Sequence, residues 1–463
     1  MPRSKPKLVV VSNRGPYRHE VSRGKERWVR SAGGLVAALD PVLQQRGGVW
    51  ISAKQAKDFD TIKVPGPRLE YDLAYISLSR AQEEGFYEGV SNAVLWPLLH
   101  SFPPTIHVGE ARWRTYTGAN ERFAQVVLEA SRSNDLIWVH DYHLMLVPRF
   151  VRNERARARI GWFCHVPWPP AHMFGILPWR QEILEGLLAS DVIGFHIDEY
   201  VQYFLECVER FTDYKVSRNK ISVGDRTVSV ITAPIGIAVR ELKELANDPD
   251  VETEVQRIRH SVGNRRMILG VDRLDYTKGI PERLLAFERL LMRNPKARNN
   301  YVFVQVMVPS RTDVRAYAEL KDNIDRMVGD INGRYSETGR LPIHYLYRNL
   351  SQRALVAHYR AADIALLTPL RDGMNLVAQE YVASRIDDDG VLVLSEFTGA
   401  AHHLTDALLV NPYDVEGVTN AIDTALRMPR AEAAKRMRAL QKSVERLDVH
   451  RWADTYLAKL EES

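Results

Sequence analysis

The chain has 463 residues, of which 45% are hydrophobic and 26% are charged. This mixture is typical of globular proteins and excludes a mostly disordered or collagen-like chain. The 63 basic and 58 acidic side chains leave a net charge of +5, an excess too weak to require a nucleic-acid partner. Because α/β domains commonly reach ~200–250 residues, we expect two domains.

The cysteines and the N-terminus bear on location. Cys164 and Cys207 cannot by themselves build a disulfide framework or a cysteine-based zinc site. The apolar run near the N-terminus, LVVV, is short, whereas a secretory signal needs ~7–15 apolar residues and a membrane helix ~20. We therefore expect a cytoplasmic protein in a reducing compartment, with no membrane partner.

In the first half of the chain, short apolar runs alternate with longer amphipathic segments. Continuous apolar strands separated by helices are typical of a parallel sheet that is covered on both faces. The pattern predicts strands at Leu8–Val11, Leu136–Val139, Ile160–Phe163, Val192–Phe195 and Val228–Ile231, and helices at Glu121–Ser131 and Tyr200–Phe211.

The second half repeats this alternation. A helix opens at Pro281, and Leu284, Phe287 and Leu291 form its apolar stripe. The tail from Val415 to Leu460 has a helical pattern rich in Ala, Arg and Leu. Strands are predicted at Met267–Val271, Tyr301–Val308, His344–Leu346, Ile364–Leu367, Val391–Leu394 and Leu408–Val410.

These elements predict an α/β fold with two doubly wound Rossmann-like domains that face a central cleft. We expect an N-terminal domain over residues 1–240 and a C-terminal domain over residues 241–440. A C-terminal helix over residues 441–463 is expected to pack back on the N-terminal domain. The cleft is the default place for a ligand, because strand ends and loops face it.

Several catalytic motifs are missing from the sequence, namely the P-loop, a glycine-rich dinucleotide fingerprint, HExxH and GxSxG. The run His140-Asp141-Tyr142-His143 could suggest a metal ion. However, His140 and Asp141 would point to opposite faces of a strand, which is poor geometry for one ion. Packing or binding of sugar hydroxyls is favoured there, and we predict no metal site.

The stretch Val271–Gly279 is the first positive signal for function. A buried strand ends in a loop that carries Arg273 and Lys278, just before a helix begins. Two cations and the N–H groups of a helix N-terminus suit an anion such as a diphosphate. The alternative is a solvated loop in which the cations pair with Asp272 and Asp275, and these residues alone leave both open.

The second signal is the stretch Thr368–Glu380, where a strand leads through a loop into a helix. Gly373 would let the backbone approach a ligand closely, and the N–H groups of Asn375–Val377 would point at phosphate oxygens. Glu380, on the same helix, could accept hydrogen bonds from a ribose diol. The alternative is that Asp372 caps the helix and Glu380 is exposed.

Two weaker signals lie near the start of the chain. Arg14 follows the first strand, and Gly33 and Gly34 precede an apolar helix. A flexible loop there could close over a ligand, although an ordinary turn is the favoured explanation for a glycine pair by itself.

Aromatic and histidine side chains give the last signal. His165 lies between a buried strand and a proline-rich loop, and Tyr87 and Trp96 combine an aromatic ring with a polar group. Such rings suit a sugar, but a structural histidine and core packing are the alternatives.

Taken together, these segments resemble the trehalose-6-phosphate synthase family. The members of this family are retaining glycosyltransferases of the GT-B fold that use sugar nucleotides. The resemblance runs in family order from about Leu8 to Tyr413. Its carriers are VSNRGP, SAGGL, SNAVLWP, WVHDYHL, HVPWP, VDRLDYTKG, PSRTDV, LRDGMNLVAQEYVAS and GVLVLSEFTGAA.

The resemblance implies a donor site for a nucleotide-glucose, with UDP-glucose favoured. Arg273 and Lys278 would hold the diphosphate, Asp372 the hydroxyls of the transferred glucose, and His165 would lie near its 6-hydroxyl. These four residues are the expected catalytic residues. The expected donor-binding residues are Gly33, Gly34, Arg273, Lys278, Leu350, Asp372, Gly373, Met374, Asn375, Leu376, Val377 and Glu380.

The resemblance also implies an acceptor site, for which the N-terminal domain supplies every expected residue except Arg311. Arg14 and Arg311 would clamp the phosphate of glucose 6-phosphate, and Tyr87, Trp96 and Asp141 would position its sugar. The family reaction implies front-face attack with retention, assisted by the leaving phosphate, and neither a cofactor nor a metal ion. A homodimer or homotetramer is compatible with the family.

Some residues depart from the family pattern. Ala53 stands where a tryptophan is frequent, Leu350 where an aromatic is common, and Gln379 where a lysine is frequent. In addition, WPLLHSFP and ILPWRQEILEGLLASDVIGFH look like the glucosylglycerol-phosphate synthases, which use ADP-glucose and glycerol 3-phosphate. Arg14, SAGGL and Arg311 favour glucose 6-phosphate.

Two alternatives to trehalose 6-phosphate synthesis stay open. The first is the same catalytic site with another acceptor, such as glycerol 3-phosphate or a cyclitol phosphate. The second is a sugar-phosphate sensor without catalysis. Such a sensor would be marked by the loss of Arg273, Lys278 or Glu380, and all three are present.

Overall fold

The computed structural model describes residues 6–22, 25–30, 33–54, 62–64, 70–102, 109–295, 297–311, 314–337 and 339–463. The chain divides into two compact units, one of Met1–Ile235 with Val449–Ser463 and one of Gly236–Asp448. Each unit is built on its own β-sheet.

The strands of the described residues, in chain order, are β1 (Leu8–Arg14), β2 (Tyr17–Ser22), β3 (Lys25–Arg30), β4 (Gly48–Lys54), β5 (Ile62–Val64), β6 (Tyr71–Ser77), β7 (Leu136–His140), β8 (Arg159–Phe163), β9 (Val192–Phe195), β10 (Lys215–Ser217), β11 (Lys220–Val223), β12 (Arg226–Thr232), β13 (Arg266–Arg273), β14 (Tyr301–Val308), β15 (Ile343–Tyr347), β16 (Ile364–Leu367), β17 (Val391–Ser395) and β18 (Leu408–Val410).

The α-helices of the same residues are α1 (Gly34–Arg46), α2 (Arg80–Glu83), α3 (Trp96–Leu99), α4 (Glu110–Ala130), α5 (Val147–Glu154), α6 (Ala171–Phe174), α7 (Arg180–Leu187), α8 (Asp198–Phe211), α9 (Val239–Ala246), α10 (Pro249–Val262), α11 (Ile280–Arg293), α12 (Ala297–Asn300), α13 (Arg315–Tyr335), α14 (Gln352–Ala361), α15 (Leu376–Ser384), α16 (Val415–Arg427), α17 (Arg430–Arg446) and α18 (Val449–Glu461). A π-helix, Glu84–Leu95, joins α2 to α3, and 3-10 turns lie at Tyr142–Leu144, Tyr276–Lys278 and Gly399–His402.

The sheet of the first unit has the order β10-β11-β12-β9-β8-β7-β1-β4-β6-β5. The strands from β12 to β6 pair in parallel, and the antiparallel pairs lie at the two edges. Leu8–Val11 of the central strand β1 are apolar and buried, as expected for a strand that is covered on both faces, whereas the last three residues of the strand are polar. From β1 the chain adds β4 and β6 on one side and β7, β8 and β9 on the other, so a topological switch point lies between β1 and β7.

Helix α18 belongs to this first unit and packs against β8 and β9. The Tyr456 hydroxyl lies 3.0 Å from the Trp162 carbonyl oxygen and 2.9 Å from that of Val192. Tyr456 is fully buried, so the last helix is part of the core of this unit.

The sheet of the second unit is entirely parallel, with the order β15-β14-β13-β16-β17-β18. Renumbered within the unit this is 3-2-1-4-5-6, the order of a Rossmann fold, with its switch point between β13 and β16. The predicted stripe on α11 is confirmed, since Leu284, Phe287 and Leu291 are fully buried against this sheet.

The predicted strands and helices are confirmed as elements, but some limits differ. The helix predicted to begin at Glu121 begins at Glu110, and its first turns bury Trp113 and Tyr116. The tail is not one helix, because it breaks before Pro429, which lacks an N–H for the helix ladder, and again at Leu447–Asp448. Among the described residues, no helix combines the length and apolarity needed to cross a membrane.

Candidate active site

In the second unit, the loops that follow β13 and β16 lie side by side. These strands are neighbours at the switch point, and the chain leaves them in opposite directions. The Leu370 N–H donates to the Thr277 carbonyl oxygen at 2.7 Å and ties the two loops together. The two stretches that carried the strongest sequence signals are therefore adjacent in space.

Lys278, Asp372 and Asn375 form one cluster at this point. Lys278 Nζ donates to Asp372 Oδ2 at 2.6 Å, and Asn375 Nδ2 donates to the same oxygen at 3.1 Å. The side chains of Lys278 and Asp372 are 12% and 16% exposed. Asn375, at φ 73°, caps α15 by accepting from the Ala378 N–H at 3.0 Å, so the alternative that Asp372 caps this helix is wrong.

The aspartates beside the cations have other partners. Asp272 is paired with the buried Arg283, and Asp275 accepts from Thr277 N (3.0 Å) and from Arg311 Nη1 (3.5 Å). Burial acts to raise the pKa of the Asp275 carboxyl, but the charge of Arg311, followed by those of Arg273 and Lys278, outweighs burial and lowers it. The alternative in which Lys278 pairs with Asp272 or Asp275 is wrong, because its carboxylate partner is Asp372.

Arg273, Arg311 and Leu350 are placed as follows. Arg273 ends β13 and is half-buried. Arg311, at φ 50°, has a side chain only 5% exposed and contacts the Tyr317 hydroxyl as well as Asp275. Leu350 lies half-buried between β15 and α14.

Glu380 faces the neighbouring helix α14. The Tyr359 hydroxyl donates to Glu380 Oε2 at 2.8 Å. Glu380 is half-buried, so the alternative that it is exposed is wrong, and this burial raises the pKa of its carboxyl. Gly373, Met374 and Asn375 are buried in the loop, whereas Leu376 and Val377 at the start of α15 are half-buried.

In the first unit, Arg14 and Tyr87 lie together at the carboxyl end of β1. Arg14 Nη2 donates to the Tyr87 hydroxyl at 2.5 Å, and its Cζ lies 5.5 Å from the centre of the tyrosine ring. Arg14 is exposed. Trp96 is buried, with its ring centre 5.8 Å from that of Tyr142.

Asp141 and His165 meet at the ends of β7 and β8. Asp141 adopts φ 74° and ψ 170°, a conformation that costs other residues than glycine about 1–3 kcal/mol. Its N–H donates to the Phe163 carbonyl at 2.8 Å, and its Oδ1 accepts from the His165 N–H at 3.4 Å. Surrounding contacts thus hold the strained backbone of Asp141, with its carboxylate next to the His165 N–H.

The ring of His165 contacts His140. His140 Nδ1 lies 3.0 Å from His165 Nε2, and burial lowers the pKa of both imidazoles. Within the described part of the chain, no three His, Cys, Asp or Glu side chains are grouped so as to hold a metal ion.

Gly33 and Gly34 are exposed at the start of α1, and Gly33 has φ 149°. Ser31 and Ala32 of the same motif lie outside the described residues. No contact places these two glycines beside another expected site residue within the described ranges.

Sequence reasoning missed two residues that hold the expected ones in place, namely Arg283 and Tyr359. Arg283 is the clearest case. It is fully buried on the apolar face of α11 and donates to Thr368 Oγ1 (3.1 Å) and to the Lys278 carbonyl oxygen (3.2 Å). An arginine directly beside the predicted core residue Leu284 was the available signal.

Known structures share this architecture. The chain is similar to an α,α-trehalose-phosphate synthase (UDP-forming) from Burkholderia xenovorans in complex with glucose-6-phosphate, with a TM-score of 0.90 and 32% identity over 98% of this chain and 100% of that chain. It is equally similar to a structure from E. coli bound with UDP-2-fluoro glucose, with a TM-score of 0.90 and 34% identity over 99% of each chain.

Two Rossmann-like units with these likenesses define a glycosyltransferase of the GT-B fold, as the sequence predicted. The chain belongs to glycosyltransferase family 20, whose family model matches residues 6–462.

Curated relatives agree with this assignment. The chain is 45% identical over 466 residues to a bifunctional trehalose-6-phosphate synthase/phosphatase from Thermoproteus tenax, and it spans 63% of that relative's length. It is 43% identical to a trehalose-6-phosphate synthase from Mycobacterium ulcerans over 98% of this chain and 94% of that protein. The resemblance seen in the sequence motifs is confirmed.

Proposed function

We propose that this protein transfers glucose from a nucleotide-glucose, with UDP-glucose favoured, to glucose 6-phosphate, and so forms α,α-trehalose 6-phosphate with retention at the anomeric carbon. The names of the relatives and the sugar phosphate and UDP-sugar analogue held by two similar structures support this proposal. The second unit would bind the nucleotide-sugar, and the first would supply most of the acceptor contacts.

The observation that carries the proposal is the cluster of Lys278, Asp372 and Asn375 at the switch point of the second unit. When a glycosidic bond to a diphosphate breaks, negative charge grows on the departing oxygen. Lys278 and Arg273 would stabilise that charge, and α15, which begins beside Lys278 and Asp372, has N–H groups that favour phosphate. Asp372, held by Lys278, would accept hydrogen bonds from hydroxyls of the transferred glucose.

The ribose and the reacting sugar would use two further residues. Glu380, braced by Tyr359, would accept hydrogen bonds from the ribose diol. His165 would contact the 6-hydroxyl of the transferred glucose.

The acceptor contacts would come from a separate set of side chains. Arg14 and Arg311 are the cations proposed for the acceptor phosphate, because a guanidinium binds phosphate oxygens in a bidentate manner. Tyr87 is already oriented by Arg14. Trp96 and Asp141 would position the sugar.

Glycerol 3-phosphate is the second candidate acceptor, and a specific feature of β4 keeps it in the test. Ala53 pairs with Arg14 across the β1–β4 register. A methyl group therefore stands beside the proposed phosphate-binding arginine at a position where a tryptophan is frequent in the family, and this changes the space available to an acceptor.

The test is a turnover assay that crosses UDP-, ADP- and GDP-glucose with glucose 6-phosphate, glycerol 3-phosphate and a cyclitol phosphate. Product mass and the anomeric coupling in NMR identify the product. We expect highest kcat/KM for UDP-glucose with glucose 6-phosphate, and an α,α-linked product. A preference for glycerol 3-phosphate would replace the acceptor, and an inverted product would refute retention.

A variant of Arg311 distinguishes binding of the acceptor from binding of the nucleotide-sugar donor. Arg311→Ala should raise the KM for the acceptor steeply and leave the Kd for the nucleotide-sugar nearly unchanged. Arg315→Ala is the control, because Arg315 lies close in sequence with a side chain 92% exposed. A comparable loss of donor affinity in Arg311→Ala would argue against its assignment to the acceptor.

A further inference from the structure

His140 is a buried histidine that the proposed reaction does not use directly. It ends β7 with no exposed surface, and its ring is packed by Trp138, Phe163 and Trp452, with ring centres 4.6, 6.5 and 6.4 Å away. Its Nδ1 lies 3.0 Å from Nε2 of His165. A polar contact between two imidazoles in an apolar pocket raises the question of which ring donates.

The contact between these nitrogens holds one hydrogen. Burial lowers the pKa of His140 to about 3 and that of His165 well below its usual value, so both rings are neutral at pH 7. Either His140 donates through Nδ1–H, or His165 donates through Nε2–H. The choice fixes the tautomer of both rings, because a neutral imidazole carries one N–H.

The other nitrogen of His140 decides between the two arrangements. Among the described residues, His140 Nε2 has no hydrogen-bond partner. If His165 were the donor, this Nε2 would carry a buried N–H without an acceptor, and orphaned buried donors are rare. The packing rings cannot help, because Trp138 and Trp452 offer indole N–H donors and no acceptor. An unprotonated Nε2 fits this pocket better, because it needs no hydrogen-bond acceptor.

We propose that His140 is a positioning residue that donates its Nδ1–H to His165 Nε2 and thereby holds His165 in the tautomer protonated at Nδ1. His165 then presents an N–H donor, and its Nε2 lone pair is occupied. Resting on the proposed function, this makes His165 a hydrogen-bond donor to an oxygen of the transferred sugar and excludes Nε2 as a general base.

His196 does not take over this role. Its ring centre lies 5.6 Å from that of His165, and its Nδ1 accepts from the Ile235 N–H at 3.4 Å. Since that nitrogen accepts, it carries no hydrogen that it could donate to His165.

The direct test is the tautomeric state of the full-length protein labelled with 15N-histidine. Long-range 15N–1H correlations distinguish Nδ1–H from Nε2–H, and variants at His140 and His165 assign the signals. We expect both rings to be protonated at Nδ1. A His165 ring protonated at Nε2 would overturn the proposal. This readout needs no substrate, so it stands even if the proposed reaction proves wrong.

Two variants distinguish the effect of losing the hydrogen-bond donor of His140 from the effect of losing its aromatic ring. His140→Phe keeps a planar aromatic ring and removes the N–H, whereas the amide of His140→Asn can place an N–H close to the position of Nδ1. In His140→Phe, we expect that the His165 ring is no longer held in the tautomer protonated at Nδ1. We also expect kcat to fall by about tenfold or more, with little change in the KM for the acceptor. His140→Asn should restore most of both.

Each of the remaining outcomes supports or contradicts the positioning role of His140. An unchanged His165 tautomer in folded His140→Phe would show that His140 does not hold it. Equal losses in folded His140→Phe and His140→Asn would show that the pocket needs the imidazole and not the donor. If His140→Phe does not fold, the wild-type spectrum with His140→Asn tests the proposal. If the tautomers are as expected but no glucosyl transfer occurs, the proposed function fails and the positioning role remains.

Discussion

Lys278 Nζ lies 2.6 Å from Asp372 Oδ2, although 94 positions separate the two residues in the chain. The contact exists because β13 and β16 are neighbours in the sheet, so the loops that follow them meet. A largely buried ion pair is a weak source of stability, since desolvation offsets most of its attraction. Its position at a switch point supports the role in donor binding that we propose for it.

Replacing Lys278 tests that role. Lys278→Ala should lower kcat/KM for the nucleotide-sugar by about 10²–10³, equivalent to ~3–4 kcal/mol, because it removes a preorganised charge at the departing diphosphate. Steady-state kinetics measure this loss. Lys243→Ala is the matched control, because Lys243 pairs with Glu445 at the same 2.6 Å in the same unit but is 39% exposed. Nearly equal kinetics in the two variants would refute the role of Lys278.

Gly279 tests the packing of the two loops. It has φ +62°, and a Cβ there would lie 2.3 Å from the Thr368 carbonyl oxygen. Gly263 has nearly the same φ, +64°, with nothing within 4 Å of a Cβ. Alanine at either position meets the left-handed penalty of about 1–2 kcal/mol, but only Gly279→Ala must also displace the loop after β16.

Urea unfolding and kinetics separate the two effects. We expect Gly279→Ala to lose more free energy of unfolding than Gly263→Ala, and to lose activity as well. Gly263→Ala should keep the activity of the wild type. Equal losses of stability would mean that backbone conformation alone matters and that the loops tolerate movement.

We predict that Arg283 stabilises the two loops that follow β13 and β16. Its five N–H groups reach Thr368, Asp272, Gln305 and the Lys278 carbonyl, so no donor of this buried guanidinium is unpaired. Arg283→Met should cost about 3–5 kcal/mol of unfolding free energy, because it leaves the Asp272 charge buried without its partner.

The double variant Arg283→Met/Asp272→Leu gives the control. It removes both charges, so it should recover a substantial part of the stability lost in Arg283→Met. Exposed Arg315→Ala should change stability by less than about 0.5 kcal/mol. A loss below about 1 kcal/mol in Arg283→Met would contradict the assigned role.

The sequence predicted the secondary-structure elements better than the contacts between distant residues. Strands such as Tyr301–Val308 and Ile364–Leu367 were predicted at their observed limits, because apolar runs bounded by turn residues depend little on the rest of the fold. The π-helix at Glu84–Leu95 was missed, since two glycines and an asparagine weaken its local helical signal.

Site residues show the same division. The motifs marked Lys278 and Asp372 separately, but only strand order brings them together. The contact of His140 with His165 depends likewise on the β7–β8 pairing, which no local pattern encodes. Packing across the sheet supplied what the sequence pattern could not.

Glu380 gives a prediction for the pH dependence of stability. Burial raises the pKa of its carboxyl above the ordinary value of 4.5, and the hydrogen bond from Tyr359 lowers it only in part. Between 4.5 and the raised value, the folded protein binds more protons than the unfolded chain. The contribution of Glu380 to the unfolding free energy therefore falls as pH rises through this window.

Glu380→Gln should abolish that fall, so the difference in stability between Glu380→Gln and the wild type should grow from pH 4 to pH 7 in favour of the variant. Tyr359→Phe is the opposing control, because it removes a hydrogen bond to the carboxylate and should extend the fall to higher pH. Urea unfolding at each pH measures both slopes. If Glu380→Gln is less stable than the wild type at pH 7 and equal to it at pH 4, the carboxylate is favoured in the fold, and the direction of the shift is wrong.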